Sequence, residues 1–252
     1  MKLIILTTCY NAKKYIWRTI QSLQAQNIQD WHCYITDDMS TDGSADFVEA
    51  QIKGDDRFTL IRNESKMYQP GNYWQVLQRE EINDEDICIT VDGDDWFPVI
   101  NVLERLKKYY EDPNIWVSCG QFVQWHGPDE NGTDRYSKGF TTKPANFKNL
   151  RNQPWRSSHL RTFKAWLFRR IEKEDLIAPN GCYWEVTGDL AFMYPILEMA
   201  GIGRTLYTED INYVYNVESD LNDFKVNYTK QMEYANLLRA KKPYDYITEH
   251  KQ

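Results

Sequence analysis

Along the first 125 residues the spacing of apolar positions switches back and forth between two periods. Residues 3–7 form a continuous apolar run closed by threonines, which predicts a strand covered on both faces. Residues 13–26 place Ile16, Ile20 and Leu23 at helical spacing, and 32–36 form a second strand-like run that ends in Asp37-Asp38. The alternation continues with a helix over 44–52 behind the polar run Ser40-Thr41-Asp42-Gly43, a strand over 58–62 and a helix over 72–79. A strand over 87–91, a helix over 99–110 after Pro98 and a strand over 115–122 complete this half. Strands separated by single helices predict an α/β fold with a mainly parallel, twisted, Rossmann-like sheet flanked by helices. In such sheets ligands sit beyond the C-terminal ends of the strands.

Beyond residue 125 the alternation is lost. Residues 126–154 are rich in Gly, Pro, Asn, Asp and Lys and read as a long loop or small insertion. Helix or strand is expected over 160–170, a helix over 189–200 closed by Gly201, short strands over 204–207 and 211–215, and a polar helix over 222–241. One domain over 1–252 is expected, with halves at 1–125 and 126–220 and a helical tail at 221–252.

Composition narrows the function classes. With 252 residues and 42% hydrophobic content there is ample material for a core. A net charge of -7 argues against a general nucleic-acid binder, which needs a basic face to neutralise phosphates. The five cysteines lack any C-x-x-C pair, so neither a disulfide framework nor a zinc site is expected, and Cys9, Cys33 and Cys88 fall in strand-like runs as small hydrophobes. The first apolar run stops short of a signal-peptide core, and no apolar run reaches the ~18 residues of a membrane span. A cytoplasmic chain with at most peripheral membrane contact is expected, which makes the N-x-S/T sequons at Asn63, Asn131 and Asn227 chance matches.

Three polar clusters fall at strand ends: Thr8-Cys9-Tyr10-Asn11, Asp37-Asp38-Met39-Ser40 and Asp92-Gly93-Asp94-Asp95. Crowded carboxylates at a strand end either cap the next helix or hold a divalent cation, because hard cations prefer carboxylate oxygens. Asp92 and Asp94 flank Gly93, which permits close backbone approach, and period-two geometry points both to one side. Asp38 is placed to accept from a base imide or a ribose hydroxyl, and Thr8 and Tyr10 offer a hydroxyl and a ring to the same base. Ser40, Thr41 and Asp42 are expected to cap the following helix.

Taken together, "TTCYNAKKYIWRTIQSLQAQN", "YITDDMSTDGSADFV" and "ITVDGDDWF" resemble the GT-A glycosyltransferases of the family-2 type, over most of residues 3–110. The resemblance implies that Thr8, Tyr10, Asn11 and Asp38 bind the nucleotide, usually uridine. It implies that Asp92, Gly93 and Asp94 hold Mn²⁺ or Mg²⁺ against a sugar-nucleotide diphosphate, with Asp95 as an alternative ligand to Asp92. "EVTGDLAFMYPILEMAG" is similar to the segment carrying the catalytic base; Asp189 occupies that place, Gly188 stands where relatives often have Glu, and Glu185 is the fallback. "SSHLRTFKAWLFRR" corresponds to the border of the acceptor site, where His159, Arg161 and Lys164 face the diphosphate or the acceptor. Relatives often add a downstream His to the metal; here only His250 follows, so Asn216, Asn222 or water is expected instead. Trp125, Trp155, Tyr183 and Trp184 are candidates for stacking on sugar faces.

These expectations amount to an inverting glycosyltransferase that uses a nucleotide-sugar, UDP-linked in the first instance. Its acceptor would be a hydroxyl on a glycan, a lipid-linked sugar, a protein or another molecule, and part of 126–156 would close over the site. The first half would carry the nucleotide-sugar and 126–220 the acceptor. A sugar nucleotidyltransferase would need a basic Gly-rich loop after the first strand, which residues 8–14 lack. A non-catalytic nucleotide- or carbohydrate-binding domain of the same fold is the other alternative.

Overall fold

The apolar runs at 3–7, 32–36 and 87–91 become the centre of a sheet because both of their faces are covered. In a computed structural model that describes residues 1–219 and 227–249, the strands are β1 (Leu3–Cys9), β2 (Trp31–Asp37), β3 (Phe58–Arg62), β4 (Ile87–Thr90), β5 (Val117–Pro128), β6 (Asp134–Lys138), β7 (Arg161–Lys164) and β8 (Thr205–Asn216). The helices are α1 (Ile16–Gln24), α2 (Ser44–Ile52), α3 (Tyr68–Leu77), α4 (Val102–Tyr109), α5 (Ala165–Arg169), α6 (Gly188–Ala200) and α7 (Tyr228–Ala240). Strand order is β3-β2-β1-β4-β7-β5-β6, with β8 paired to β5. β1, β2, β3 and β4 are parallel, while β7 enters antiparallel between β4 and β5.

Alternate residues of β1 feed two cores. Ile4 and Leu6 pack with α3, α5 and α6 on one face, and Leu3 and Ile5 pack with Ile16, Ile20 and Leu23 of α1 and Leu103 and Leu106 of α4 on the other. Burying each such side chain is worth about 1.5–3 kcal/mol. α6 is buried all round except at the partly exposed Asp189, which is why its sequence is nearly continuous apolar.

The register brings the polar clusters together. Thr8 aligns with Thr36 and Cys9 with Asp37, while Leu6 aligns with Thr90 on the other side of β1. The Gly93 amide then donates to the Thr8 carbonyl at 3.0 Å. Chain order reverses at β1, and the loops after β1 and β4 part at that switch to open a crevice.

Several boundaries differ from the sequence reading. α3 starts at Tyr68 rather than 72, because the Asp38 carboxylate, far away in sequence, accepts from the Met67 and Tyr68 amides at 2.8 and 3.0 Å. Pro70 is tolerated in that first turn, where its missing N–H has no intrahelical partner. Ser40 and Thr41 do not cap α2; Asp42 takes the Ser44 amide at 2.9 Å, and Gly43 supplies the left-handed residue before the helix. Residues 126–154 are not one long loop: β5 runs to Pro128, β6 returns beside it, and a 3-10 turn spans Phe147–Asn152. β6 is exposed on both faces and carries no apolar alternation to betray it. Residues 160–170 divide into β7 and then α5. The two expected strands at 204–215 are one strand whose surplus residues form an irregularity between Cys119 and Phe122 of β5. The start of the expected tail helix at Asn222, and His250, lie outside the described residues. No described helix is long and apolar enough to cross a membrane.

Candidate active site

A cavity of about 340 Å³ opens where the loops after β1 and β4 meet the segment before α6. Thr8, Tyr10, Asn11, Asp92, Gly93, Asp94, His159, Arg161 and Asp189 all line it, so most of the residues singled out from sequence converge on one space. Asp38 and Asp95 do not line it. Asp38 is buried and spends its oxygens on the Met67, Tyr68 and Asn63 N–H groups. Asp95 lies fully buried behind Asp92.

Close packing fixes the acidic turn. A Cβ on Gly93 would fall 2.8 Å from the Thr8 carbonyl, so only glycine allows the β1 and β4 loops to approach this far. Tyr213 of β8 locks the turn from behind: its hydroxyl accepts from the Asp92 amide at 3.1 Å and donates to Asp95 Oδ2 at 2.7 Å. The Asn216 amide donates to Asp95 Oδ1 at 2.7 Å, and Gln69 Nε2 donates to Asp92 Oδ1 at 2.9 Å.

One guanidinium pairs with two members of a cluster of four carboxylates, Asp92, Asp94, Asp95 and Asp189. Arg161, buried at the start of β7, donates to Asp189 Oδ2 at 2.8 Å and lies 4.0 Å from Asp92 Oδ2. Burial opposes its charge, and Asp189 and Asp92 more than restore it. Burial pushes the Asp92 carboxyl up to about 6 against the pull of Arg161, and the charges of Asp94 and Asp189 add to the rise. Asp95 is driven well above the usual carboxylate range by burial and then by Asp94 and Asp92. So many carboxylates around a single cation favour a further positive charge. Oxygen-rich donors suit a hard divalent ion, and Asp92, Asp95 and His159 each offer a ligand atom within 4.8 Å of the others. Thr8 Oγ1 is buried with no hydrogen-bond partner among the described residues.

Other expected residues have different work. The Asn11 carboxamide accepts from the Thr41 amide at 2.7 Å and so ties the loop after β1 to the loop after β2, while Asn11 itself adopts a positive φ of 47°. The Lys66 ammonium lies over the exposed Tyr10 ring. Lys164 is absent from the cavity; it pairs with Glu85 at 2.7 Å. Trp125 packs on Tyr15 and Trp96, Trp155 packs on Tyr194, and Tyr183 lies against Gly71, leaving Trp184 as the member of that aromatic set that lines the cavity. Asn216 commits Oδ1 to the Glu218 amide and keeps a buried, unpartnered Nδ2, which makes it a donor to a ligand rather than a metal ligand. Gly188 has a local cause: a Cβ there would sit 2.9 Å from Pro70 of α3, leaving no room for a larger residue. Glu185 lines the cavity but is engaged by Asn180 and Lys230.

Sequence reasoning missed Gln69, Tyr213, Tyr215, Ser219 and Gln231. Tyr213 and Tyr215 alternate along β8, a usable signal once that strand is recognised; Gln69 and Gln231 carry none.

Comparison with known proteins agrees with this layout. Residues 4–175 match Glycosyl transferase family 2. A 57-residue stretch is 37% identical to the "Putative teichuronic acid biosynthesis glycosyltransferase TuaG" of Bacillus subtilis (strain 168), covering 23% of each chain. The fold matches S. aureus TarS 1-349 in complex with UDP at a TM-score of 0.66 and 17% identity, over 95% of this chain and 64% of that one. It matches the mannosyltransferase PcManGT from Pyrobaculum calidifontis, in complex with GDP-Man and Mn²⁺, at a TM-score of 0.64 and 16% identity, over 96% of this chain and 66% of that one. This chain therefore spans a minor part of the matched TuaG and just under two thirds of the matched structures. The parallel sheet, the acidic turn after β4 and a family match across more than half of the sequence place the chain in glycosyl transferase family 2, with the GT-A fold.

Proposed function

We propose that the protein is a divalent-metal-dependent, inverting glycosyltransferase that moves a sugar from a nucleotide-sugar to an acceptor hydroxyl. The observation that carries this reading is the single cavity holding Asp92 and Asp94 on one wall and the Arg161–Asp189 pair on another. Structures of the same fold, one in complex with UDP and one with GDP-Man and Mn²⁺, support a sugar-nucleotide donor. A UDP-sugar is the first donor to test.

Asp92 and Asp94, with Asp95 behind them, would hold Mn²⁺ or Mg²⁺, which when bound neutralises charge on the departing diphosphate as a Lewis acid. The chain's own groups do the rest. Thr8 Oγ1 and Asn216 Nδ2, both buried without partners among the described residues, donate to the donor's oxygens. Tyr10 takes the base once Lys66 leaves its ring, while Asp38, engaged by the Met67, Tyr68 and Asn63 N–H groups, holds the loop behind it. Arg161 orients Asp189 and adds fixed positive charge beside the diphosphate. Asp189 accepts the acceptor hydroxyl proton as that oxygen attacks the anomeric carbon opposite the leaving group, and one displacement inverts the centre. Acceptor hydroxyls would enter past Trp184, Glu185 and Gln231.

Calorimetric titration with UDP, GDP and their sugar conjugates, each with Mn²⁺ and with EDTA, tests the donor half of this reading. Binding of one nucleotide series that disappears in EDTA is expected. Absence of nucleotide binding with the metal present would remove the proposal.

A further inference from the structure

We infer that β6 is a self-complementary edge through which two copies of this chain pair antiparallel about a two-fold axis at Tyr136, joining their sheets into one. β6 ends the strand order, and among the described residues no strand pairs with its outer side. Its side chains are open as well: Arg135, Tyr136, Ser137 and Lys138 are exposed and Asp134 is half-buried. Such an edge offers a row of free N–H and C=O groups to another strand.

The register shows which groups are free. The Gly139 amide donates to the Phe122 carbonyl at 3.0 Å, and Lys138, Ser137 and Tyr136 lie opposite Val123, Gln124 and Trp125 in turn. Bonded and non-bonded residue pairs alternate along an antiparallel ladder, so Gly139 and Ser137 turn their backbone groups to β5 while Lys138 and Tyr136 turn theirs outward. A bulge sets His126 and Gly127 of β5 against Arg135, and Asp134, opposite Pro128, faces outward again. Three alternate residues therefore present the spacing that an antiparallel partner strand requires.

A second copy of β6 matches this edge in charge. With Tyr136 opposite the partner's Tyr136, Asp134 stands opposite the partner's Lys138 and Lys138 opposite the partner's Asp134, while Arg135 meets the partner's Ser137. Opposite charges meet twice and like charges never do. A slip of two residues in either direction loses both ion pairs, so the charges also fix the register. Lys138 has no carboxylate partner among the described residues; its ammonium lies 5.4 Å over the Phe140 ring. Asp134 binds Arg18 at 3.1 Å and still has 31% of its side chain exposed. Tyr136 and Phe140, 51% and 66% exposed, supply apolar area beside the ion pairs. Pairing braces a wall of the candidate active site, because Phe122, held by Gly139, packs edge-on against His159 and Tyr215, which line the cavity.

Sedimentation velocity of the full chain, from about 1 µM to about 1 mM, tests the inference over the range in which small interfaces associate. The mass should climb from that of one chain toward that of two. Lys138→Asp sets carboxylate against carboxylate at both ends and should weaken association by ~10-fold or more; combining it with Asp134→Lys restores opposite charges and should recover most of the loss. Tyr136→Pro removes an outward N–H without touching a bond to β5, and should leave a monomer even if the charge variant fails to fold. A chain that stays monomeric throughout would overturn the inference. So would a dimer indifferent to both Lys138→Asp and Tyr136→Pro, since it would use another surface.

Discussion

Replacing Tyr213 with phenylalanine removes one oxygen from the centre of the acidic turn and leaves its shape unchanged. In the native protein that oxygen donates to Asp95 at 2.7 Å and accepts from the Asp92 amide at 3.1 Å, with the tyrosine fully buried. Losing a hydrogen bond to a buried carboxylate costs about 1.5–3 kcal/mol, and the orphaned amide adds about 1 kcal/mol at the low end of its range because it borders the cavity. A total of about 3 kcal/mol corresponds to a drop in melting temperature of roughly 6–12 °C for a chain of this size. The loss should depend on pH. Burial already raises the Asp95 pKa, and the tyrosine hydroxyl partly offsets that rise by stabilising the charged form. With phenylalanine the folded protein binds the Asp95 proton more tightly still. The variant therefore resembles wild type most closely in acid, where Asp95 is protonated in both, and falls further behind as pH rises through the wild-type folded pKa. Urea denaturation across a pH series, without metal, measures this directly. A loss under about 1 kcal/mol, or one independent of pH, would refute this account of the turn.

Three other outcomes follow from the same geometry. Gly93→Ala drives a Cβ toward the Thr8 carbonyl, 2.8 Å away; it should cost about 1–3 kcal/mol in chemical denaturation and weaken nucleotide binding as the crevice distorts. Because Asp92 is pushed up to about 6, its folded form holds a proton more tightly than the unfolded chain. Metal-free stability should therefore fall as pH rises from about 4 to 6, while Mn²⁺ affinity rises over that interval and levels off above it, both readable by titrations at fixed ionic strength. Arg151→Met breaks a buried bidentate pair with Glu198 at 2.7 and 2.8 Å, far from the cavity; a loss of about 3–5 kcal/mol with unchanged nucleotide affinity is expected from melting and calorimetry together.

What the sequence disclosed follows the physics of each element. β1, β2 and β4 were legible because strands covered on both faces need continuous apolar runs, and parallel strands need the intervening helices. The convergence of Thr8, Asp92 and Asp94 followed from the rule that crevices form at the carboxyl ends of such strands. Asp38 shows the limit of that reasoning: its position was foreseen, but the α3 amides that occupy it come from a loop whose path no local signal specifies. β6 was invisible because an edge strand exposed on both faces needs no alternation. Tyr213 was missed for a similar reason, since its role depends on β8 lying beside β5, a long-range pairing with an irregular register. Gly188 looked like a departure from the family; contact with Pro70 accounts for it.

The proposed division of labour, with the acidic turn for the donor and Asp189 for the acceptor proton, is tested most directly by comparing wild type with Asp189→Asn. Nucleotide release from the sugar-nucleotide that calorimetry selects would be followed with Mn²⁺ present, beside the affinity for that donor. The account predicts that the variant keeps donor affinity within about threefold while turnover falls ~10²-fold or more, the contribution of a positioned general base. Undiminished turnover, or donor binding lost in step with it, would contradict the account.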